Sequence, residues 1–271
     1  MIYWKLTLAI DNESDKEAAM AALLQMDWES FEEEERALLA YVPEESFNRS
    51  EVEVFLNSKS WTYSLEQIAQ QNWNALWESN FEPVIVDDFV GIRAHFHEPI
   101  VGVEYELQIT PKMSFGTGHH ATTHMMIQLM RSFNWVGKKV FDFGTGTGVL
   151  AILAEKLGAT LVLGTDCDTW CIENSEENVA TNECTHVKLQ LLDHADVEGE
   201  YDFVLANINR HILLDNMEVL AKKLRGDGRL FISGFLPEDV DVLEEAFHKV
   251  GLEQEQLVQR DKWVAMVLRH K

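Results

Sequence analysis

Closely spaced glycines and a carboxylate mark two segments of this chain that could hold a nucleotide-like cofactor. Residues 141–148 read Phe-Asp-Phe-Gly-Thr-Gly-Thr-Gly, with Gly144 and Gly146 directly after an apolar strand. Glycine lets the chain leave a strand sharply and lets a ligand approach bare backbone. The next strand ends at Asp166, whose carboxylate can accept hydrogen bonds from both hydroxyls of a ribose. The two segments together predict a cofactor site.

Two features of the glycine loop favour a methyl donor over a dinucleotide. The third glycine of the pattern G-x-G-x-x-G is missing, because Val149 and Leu150 follow Gly148. Asp142 disfavours a pyrophosphate but suits a cofactor with a cationic amino group and a sulfonium. On this loop alone, a nicotinamide cofactor or a tight turn without ligand remains an alternative. Asp166 could also cap the following helix, a role more natural for Asp168.

A second loop and one asparagine could complete such a site. Gly116 and Gly118 give the segment after Phe115 the freedom of a lid, and Thr123 beside it offers a hydroxyl to a carboxylate or amine. A hinge without ligand contact is the alternative. Asn207 follows the apolar strand 203–206, so we expect it near the transferable methyl, with its amide oxygen free to orient an amine.

The elements that must position these residues alternate between strand and helix. This alternation predicts an α/β fold with a mostly parallel, doubly wound sheet covered on both faces. Short strands at 84–86, 90–94 and 105–109 introduce it, and strands near 252–259 and 263–268 should close its edge. We predict helices over 122–133, 148–157, 168–181, 210–224 and 238–250, and strands over 139–143, 160–166, 187–191, 203–206 and 228–233.

The first 60 residues predict a small α/β domain of their own. It comprises a strand at 3–10, a helix over 15–26 capped by Ser14, a strand or hairpin over 30–42, and a helix through Leu56 capped by Asn48 or Ser50. An apolar stripe from Leu65 to Trp77 predicts a linker helix over 61–80. We place the larger, cofactor-binding domain at 81–271.

The charge of the chain argues against a nucleic-acid partner. Its formal net charge is −24, whereas nucleic-acid affinity depends largely on Lys and Arg. Residues 1–60 alone carry fourteen Asp or Glu against five Lys or Arg, a net charge of −9. The acidity favours a basic partner or serves only solubility, and the run Glu32 to Glu35 is either a solvated face or a docking face.

Cysteine and hydropathy patterns predict a cytoplasmic protein without membrane contact. The three cysteines are an odd and sparse set, and neither a leader segment nor an apolar span of membrane length is evident. His120 and His124 have the spacing of a helical zinc pair, but the glutamate of H-E-x-x-H and a third ligand are missing, so we predict no metal. Cys167 and Cys171 are expected to pack into their helix.

Four segments together resemble the PrmA family, which methylates ribosomal protein L-eleven (L11). They are residues 113–123, 142–148, 164–168 and 206–208, and a further match at 72–83 extends the resemblance over most of the chain, with residues 1–60 matching loosely. The resemblance implies a class I, Rossmann-like methyltransferase dependent on S-adenosylmethionine (SAM). It also implies a small ferredoxin-like domain that recognises the substrate, and a linker helix that lets this domain move.

The resemblance also implies roles for individual residues. Thr123, Gly144, Asp166 and Asn207 would contact SAM, while Phe115, Gly116 and Gly118 would fold over its methionine end. Asn207 would be catalytic in the methylation of lysine side chains and an N-terminal amine, and we expect a monomer. Related amino-methylating enzymes often carry Asn-Pro-Pro-aromatic where this chain has Asn207-Ile208-Asn209-Arg210. The alternatives are a different protein or small-molecule acceptor, and a SAM-binding module without catalysis.

Overall fold

A computed structural model describes residues 2–34, 36–59, 61–69, 81–112 and 114–271. The chain divides into two compact units, Met1–Phe81 and Glu82–Lys271. Within the described ranges, no helix is both long and apolar enough to cross a membrane.

The first unit has the strand and helix order β-α-β-β-α-β. One antiparallel sheet has the strand order β2-β3-β1-β4. The helices pack on an apolar cluster that includes Leu6, Leu8, Leu23, Leu38 and Leu56. This arrangement is ferredoxin-like, as expected. The elements are β1 (Ile2–Ala9), α1 (Glu13–Leu24), β2 (Ser30–Glu34), β3 (Ala37–Pro43), α2 (Arg49–Asn57) and β4 (Thr62–Ala69).

The predicted linker helix over 61–80 is wrong in its first half, because Thr62–Ala69 is strand β4. Tyr63 and Leu65 pack against the apolar cluster while Thr62, Ser64 and Glu66 are exposed. This is the period of two of an extended strand, which the helical stripe through Leu65 obscured. Residues 70–80, with the rest of the predicted helix, lie outside the described residues.

The predicted cap of the first helix is also wrong. The Asp15 N–H donates to the side-chain oxygen of Asn12 at 2.8 Å, and Ser14 lies inside the first turn. Of the two candidates for the second helix, Asn48 is the cap, since its side chain accepts from the Glu51 N–H.

The second unit is built on one long, mostly parallel sheet with the strand order β10-β9-β8-β11-β12-β14-β13. Only the pairs made by the last hairpin are antiparallel, and the predicted doubly wound fold is confirmed. A smaller sheet has the order β5-β6-β7. The strands are β5 (Val84–Val86), β6 (Val90–Arg93), β7 (Tyr105–Gln108), β8 (Lys139–Phe143), β9 (Leu161–Asp166), β10 (Val187–Leu191), β11 (Tyr201–Asn207), β12 (Leu224–Phe235), β13 (Leu252–Arg260) and β14 (Trp263–His270).

Helices cover both faces of this sheet, and an apolar cluster lies under each face. The helices are α3 (Ala121–Met130), α4 (Val149–Lys156), α5 (Thr169–Thr181), α6 (Arg210–Lys223) and α7 (Val240–Lys249). The predicted helix over 238–250 is shorter, because Pro237–Asp239 forms a 3-10 turn before it. The chain runs outward from β8 to β10 and returns to place β11 on the other side of β8, so the sheet has a topological switch point between β8 and β11. Ligands of open α/β sheets bind beside such a point.

The helix cap gives a direct test of the first unit. Asn12→Ala removes the acceptor for the Asp15 N–H and should destabilise α1 by about 1 kcal/mol, which speeds amide hydrogen exchange across Glu13–Leu24 roughly five-fold. Ser14→Ala is the matched control and should leave exchange unchanged or slow it slightly, since alanine favours helix interiors. A larger effect of Ser14→Ala than of Asn12→Ala would contradict the assignment.

Candidate cofactor and active site

A cavity of about 480 Å³ opens where the parallel strands end at their carboxyl side. Its wall combines residues at or just beyond the carboxyl ends of β8, β9, β10, β11 and β12 with residues from the loop before α3. Of the residues predicted from the sequence, five lie on this wall: Phe115, Gly144, Gly146, Asp166 and Asn207. The sheet therefore brings together residues that are up to 92 positions apart.

The glycine loop (residues 144–148) is fixed to the end of β9 by backbone hydrogen bonds. The N–H groups of Gly144 and Thr145 both donate to the carbonyl of Thr165 at 2.8 Å. The two carboxylate oxygens of Asp166 accept from the N–H groups of Gly146, at 2.9 Å, and Asp168, at 3.1 Å. These bonds orient the carboxylate and leave each oxygen with a free lone pair. The helix cap is Asp168, which accepts from Trp170 N–H.

The Phe115 loop (residues 114–120) lies directly against the glycine loop. The Thr147 N–H donates to the Phe115 carbonyl at 2.9 Å, and the Thr147 hydroxyl donates to the Gly116 carbonyl at 2.7 Å. Gly146 has a φ of +55°, and a Cβ built on it would lie 2.3 Å from the Phe115 oxygen. A side chain at position 146 would therefore separate the two loops. Gly116 joins the loops through its carbonyl but does not line the cavity.

Two further predicted residues lie behind the cavity wall. Gly118 faces β6, where a Cβ would lie 2.6 Å from the Ile92 side chain. Thr123 is fully buried, and its hydroxyl oxygen accepts from the Asn207 amide nitrogen at 3.3 Å. The Asn207 side-chain oxygen is also buried and has no hydrogen-bond partner among the described residues. Thr123 therefore supports Asn207, which itself lies on the wall.

Asp142 lies beneath the glycine loop instead of facing the cavity. Its carboxylate is 1% exposed and accepts from the Thr145 hydroxyl at 2.7 Å. Burial raises the pKa of Asp142 to about 7. The hydrogen bond from Thr145 lowers this pKa, whereas the negative charge of Asp166 raises it further. We predicted from the sequence that this carboxylate faces a cationic ligand. In the structure it is buried and supports the glycine loop through its hydrogen bond with Thr145.

Three asparagines, two on α5 and one at its C-cap, hold the chain segment that leads to the Phe115 loop. The Asn182 side chain accepts from the Gln108 N–H and donates to the Gln108 carbonyl, so it bonds the same two backbone groups as a paired β-strand. Asn178 accepts from the Thr110 N–H at 2.8 Å and donates to the carbonyl of Thr147 at 2.8 Å. Asn174 donates to the Thr110 carbonyl. Sequence reasoning missed this set, although buried asparagines four residues apart on one helix were the available signal.

An aromatic group at the cavity was also missed. The His120 ring lies between Phe115, at 5.1 Å between ring centroids, and Trp263, at 4.8 Å. Its Nδ1 accepts from the Thr122 N–H at the start of α3. Burial, helped by the charge of Lys262, lowers the pKa of His120 and favours the neutral ring. Trp263 belongs to the C-terminal hairpin, and no local pattern connects it with the glycine loop.

Other wall residues follow β9 and β10. Asp193 comes just after the end of β10, so the rule that identified Asp166 could have identified it. Cys167 and Cys171 line the cavity as well. Cys167 is exposed, so the expectation that it packs into the helix is wrong, whereas Cys171 lies on α5 and is half-buried.

His120 and His124, the pair considered as zinc ligands, make contacts within the protein instead. The Arg260 guanidinium lies 2.7 Å from Nε2 of His124, and burial together with this positive charge lowers the pKa of His124. Across the described part of the chain, no group of three His, Cys, Asp or Glu side chains is placed to hold a metal ion.

Comparisons with known proteins agree with this geometry. The fold and the site at the carboxyl ends of β8, β9 and β11 define a class I SAM-dependent methyltransferase. A family model described as ribosomal protein L11 methyltransferase (PrmA) matches residues 6–271. The chain belongs to this family.

Several relatives support this assignment. A ribosomal protein L11 methyltransferase of Porphyromonas gingivalis is 39% identical over 254 residues, which cover 91% of this chain and 88% of the relative. One of Chlorobaculum tepidum is 34% identical, covering 98% of this chain and 96% of that protein. The crystal structure of a ribosomal protein L11 methylase from Lactobacillus delbrueckii subsp. bulgaricus covers 70% of this chain and all of its own, with 28% identity and a TM-score of 0.66. A methyltransferase structure from Pyrococcus furiosus, 19% identical with a TM-score of 0.51, covers 60% of this chain and 87% of its own and shares the fold.

The buried carboxyl group of Asp142 should make stability depend on pH. Because its folded-state pKa is raised to about 7, its stabilising contribution is fully present below about pH 4 and is lost as the pH rises through 7. The neutral variant Asp142→Asn does not titrate. Its free energy of unfolding should therefore rise relative to the wild type between pH 5 and pH 8, by at most about 1.4 kcal/mol per pH unit. Urea unfolding at several pH values measures the difference.

Asp202→Asn is the matched control for this measurement. Burial opposes ionisation of Asp202, but the Lys139 N–H and the Arg225 guanidinium outweigh it and hold the pKa below its usual value. Its stabilising contribution is lost only as the pH falls through that lowered value, so the cost of Asp202→Asn should stay constant from pH 5 to pH 8. A constant cost for Asp142→Asn as well would contradict the assignment to Asp142.

Proposed function

We propose that this protein transfers methyl groups from SAM to amino groups of ribosomal protein L11, at lysine side chains and at the N-terminal amine. Membership of the family and the names of its relatives support this acceptor. The residues of the cavity support an acceptor that is an amine.

The observation that carries the proposal is the side-chain oxygen of Asn207. It is buried at the cavity wall and lacks a hydrogen-bond donor among the described residues, a state that costs about 1–3 kcal/mol. The amide nitrogen is already committed to Thr123. A substrate N–H group satisfies the oxygen and is oriented by it, so Asn207 is the catalytic residue in this proposal.

The remaining predicted residues fit SAM, which supplies a methyl group on a positively charged sulfonium. Asp166 would bind the ribose hydroxyls with its free lone pairs, and Gly144 and Gly146 would present bare backbone to the ligand. Phe115, Gly116 and Gly118 would form the loop over the methionine end, and Thr123 would act through Asn207.

The charge of the wall also suits this chemistry. Asp166, Asp168 and Asp193 lie on it, and no Lys or Arg does so within the described ranges. This favours a cationic cofactor over a phosphate-rich one.

A lysine amine must lose its proton before it can accept a methyl group. The apolar groups of Phe143, Ile208 and Trp263 and the positive sulfonium of SAM disfavour its charged form, against the opposite effect of the wall carboxylates.

The first unit is proposed to recognise L11. Its edge strand β2 exposes Glu32, Glu33 and Glu34 on one acidic stretch. An acidic surface steers and orients a basic ribosomal protein. This unit would therefore set which protein is methylated, while the second unit performs the transfer.

Methylation of L11 can be tested directly. Incubation with methyl-labelled SAM and purified L11 should label L11 at several amines, identified by peptide mass analysis, and leave an unrelated basic protein of similar size unlabelled. Labelling of the control protein alone, or SAM binding without labelling of any protein, would remove L11 from the proposal.

The proposed roles of Asp166 and Asn207 predict different kinetic defects. Asp166→Ala should raise the Kd for SAM by about 30-fold or more, because charge-assisted hydrogen bonds are worth about 1.5–3 kcal/mol each. Asp227→Ala, an equal truncation of an exposed carboxylate outside the cavity, is its control. Asn207→Ala should lower kcat by roughly 100-fold, whereas Asn216→Ala, an equal truncation on α6 away from the cavity, should not. Calorimetry and steady-state kinetics measure both, and interchanged defects would refute the assigned roles.

The acidic edge strand predicts a defect confined to the protein substrate. Replacing Glu32, Glu33 and Glu34 by Gln should raise the KM for L11 several-fold at low salt, and the difference should shrink at high salt because the Debye length falls. The Kd for SAM should not change. The control replaces three exposed carboxylates of the second unit, Glu176, Glu198 and Glu200, by Gln. An equal rise in KM in both triple variants would argue against recognition by the first unit.

A further inference from the structure

Gly234 forms a β-bulge at the rim of the cavity. In the pairing of β12 with β14, Ser233 lies opposite Ala265 and Phe235 opposite Val264, so Gly234 is an extra residue without a partner. Its φ is +101°, a conformation that favours glycine. Bulges beside active sites redirect the groups that they touch. Gly234 lines the cavity and touches the residue after Asn207.

The contact between Gly234 and Ile208 is made by backbone. A Cβ built on Gly234 would lie 2.1 Å from the carbonyl oxygen of Ile208, 2.7 Å from its carbonyl carbon and 3.2 Å from its nitrogen. None of these atoms belongs to a flexible side chain that could move aside. The Ile208 peptide can occupy its place only because position 234 has no side chain.

Ile208 is held from the other side by a second glycine. A Cβ on Gly144 would lie 2.3 Å from Cγ2 of Ile208, and the Ile208 N–H donates to the Ser233 carbonyl at 3.1 Å. By contrast, the Asn207 amide makes a hydrogen bond of 3.3 Å, longer than the usual 2.9–3.0 Å for this kind of bond. The backbone of Ile208 is therefore a second constraint on where Asn207 points.

We propose that Gly234 is a positioning residue for methyl transfer: its bulge seats the Ile208 peptide and thereby directs the Asn207 amide oxygen at the substrate amine. The proposal rests on the function proposed above for Asn207. A side chain at 234 displaces the Ile208 peptide and misaligns Asn207, while Asn207 itself remains chemically intact.

A double-mutant cycle on the full chain tests this coupling. Gly234→Ala should lower kcat/KM for L11 by about 100-fold, the scale of a 1 Å misplacement at a reaction centre. In the Asn207→Ala background the same change should cost 3-fold or less, because the amide that it misaligns is already gone. A larger further loss in that background, or a loss below 3-fold in the wild type, overturns the proposal.

Two further variants keep the result interpretable. Gly251→Ala introduces a side chain at a φ of +81° with no atom within 4 Å, so it imposes the backbone strain without the overlap and should keep at least half of the activity. If Gly234→Ala does not fold, as judged by circular dichroism, the cycle is run with Gly234→Asn, because asparagine tolerates a positive φ better than alanine but carries the same overlapping Cβ. Loss of activity that is absent from the Asn207→Ala background supports the coupling, and any other result refutes it. Wild-type protein that fails to label L11 refutes the proposed function instead.

Discussion

The site depends on a backbone-to-backbone approach between the glycine loop and the Phe115 loop. Thr147 donates through both its N–H and its hydroxyl to successive carbonyls of the Phe115 loop. The approach is possible because Gly146 lacks a Cβ, which would otherwise overlap the Phe115 oxygen. Two segments joined by a hydrogen bond between residues 31 positions apart thereby become one wall of the cavity. The glycine spacing serves loop-to-loop packing as well as ligand access.

Side-chain amides of α5 hold both partners of this approach. Asn178 binds the backbone of Thr110 with one end of its amide and the carbonyl of Thr147 with the other. Asn182 and Asn174 extend the contact along the segment that leads toward the Phe115 loop. Buried amides are costly unless they are hydrogen-bonded, so the bonds that satisfy the amides of Asn178 and Asn182 also fix the geometry. The helix thereby takes the place of a neighbouring strand for residues 108–110.

Features carried by local pattern were predictable, and features set by distant packing were not. The strand at 139–143 and the positions of Gly144, Asp166 and Asn207 follow from periodicity and from the rule for the carboxyl edge of parallel strands. Strand β4 was misassigned because Leu65 fits a helical stripe and an alternating strand equally well. Trp263 reaches the cavity only through the antiparallel hairpin at the end of the chain. Asp142 was misplaced because its distance from the loop surface depends on packing under α4.

The strand order also separates the residues proposed to hold the cofactor from those proposed to orient the substrate amine. Gly144 and Asp166, proposed to hold the cofactor, lie at the carboxyl ends of β8 and β9 on one side of the switch point, whereas Asn207 and Gly234 lie at the carboxyl ends of β11 and β12 on the other. Gly144 and Ile208 meet across that point, so the turn proposed to orient the amine packs directly against the glycine loop. The cofactor half of such a fold can stay constant while the turn after β11 adapts to the acceptor. A turn of Asn207-Ile208 in place of Asn-Pro-Pro lacks the rigidity of proline. In our proposal, the close packing of Ile208 against Gly144 and Gly234 supplies that rigidity instead.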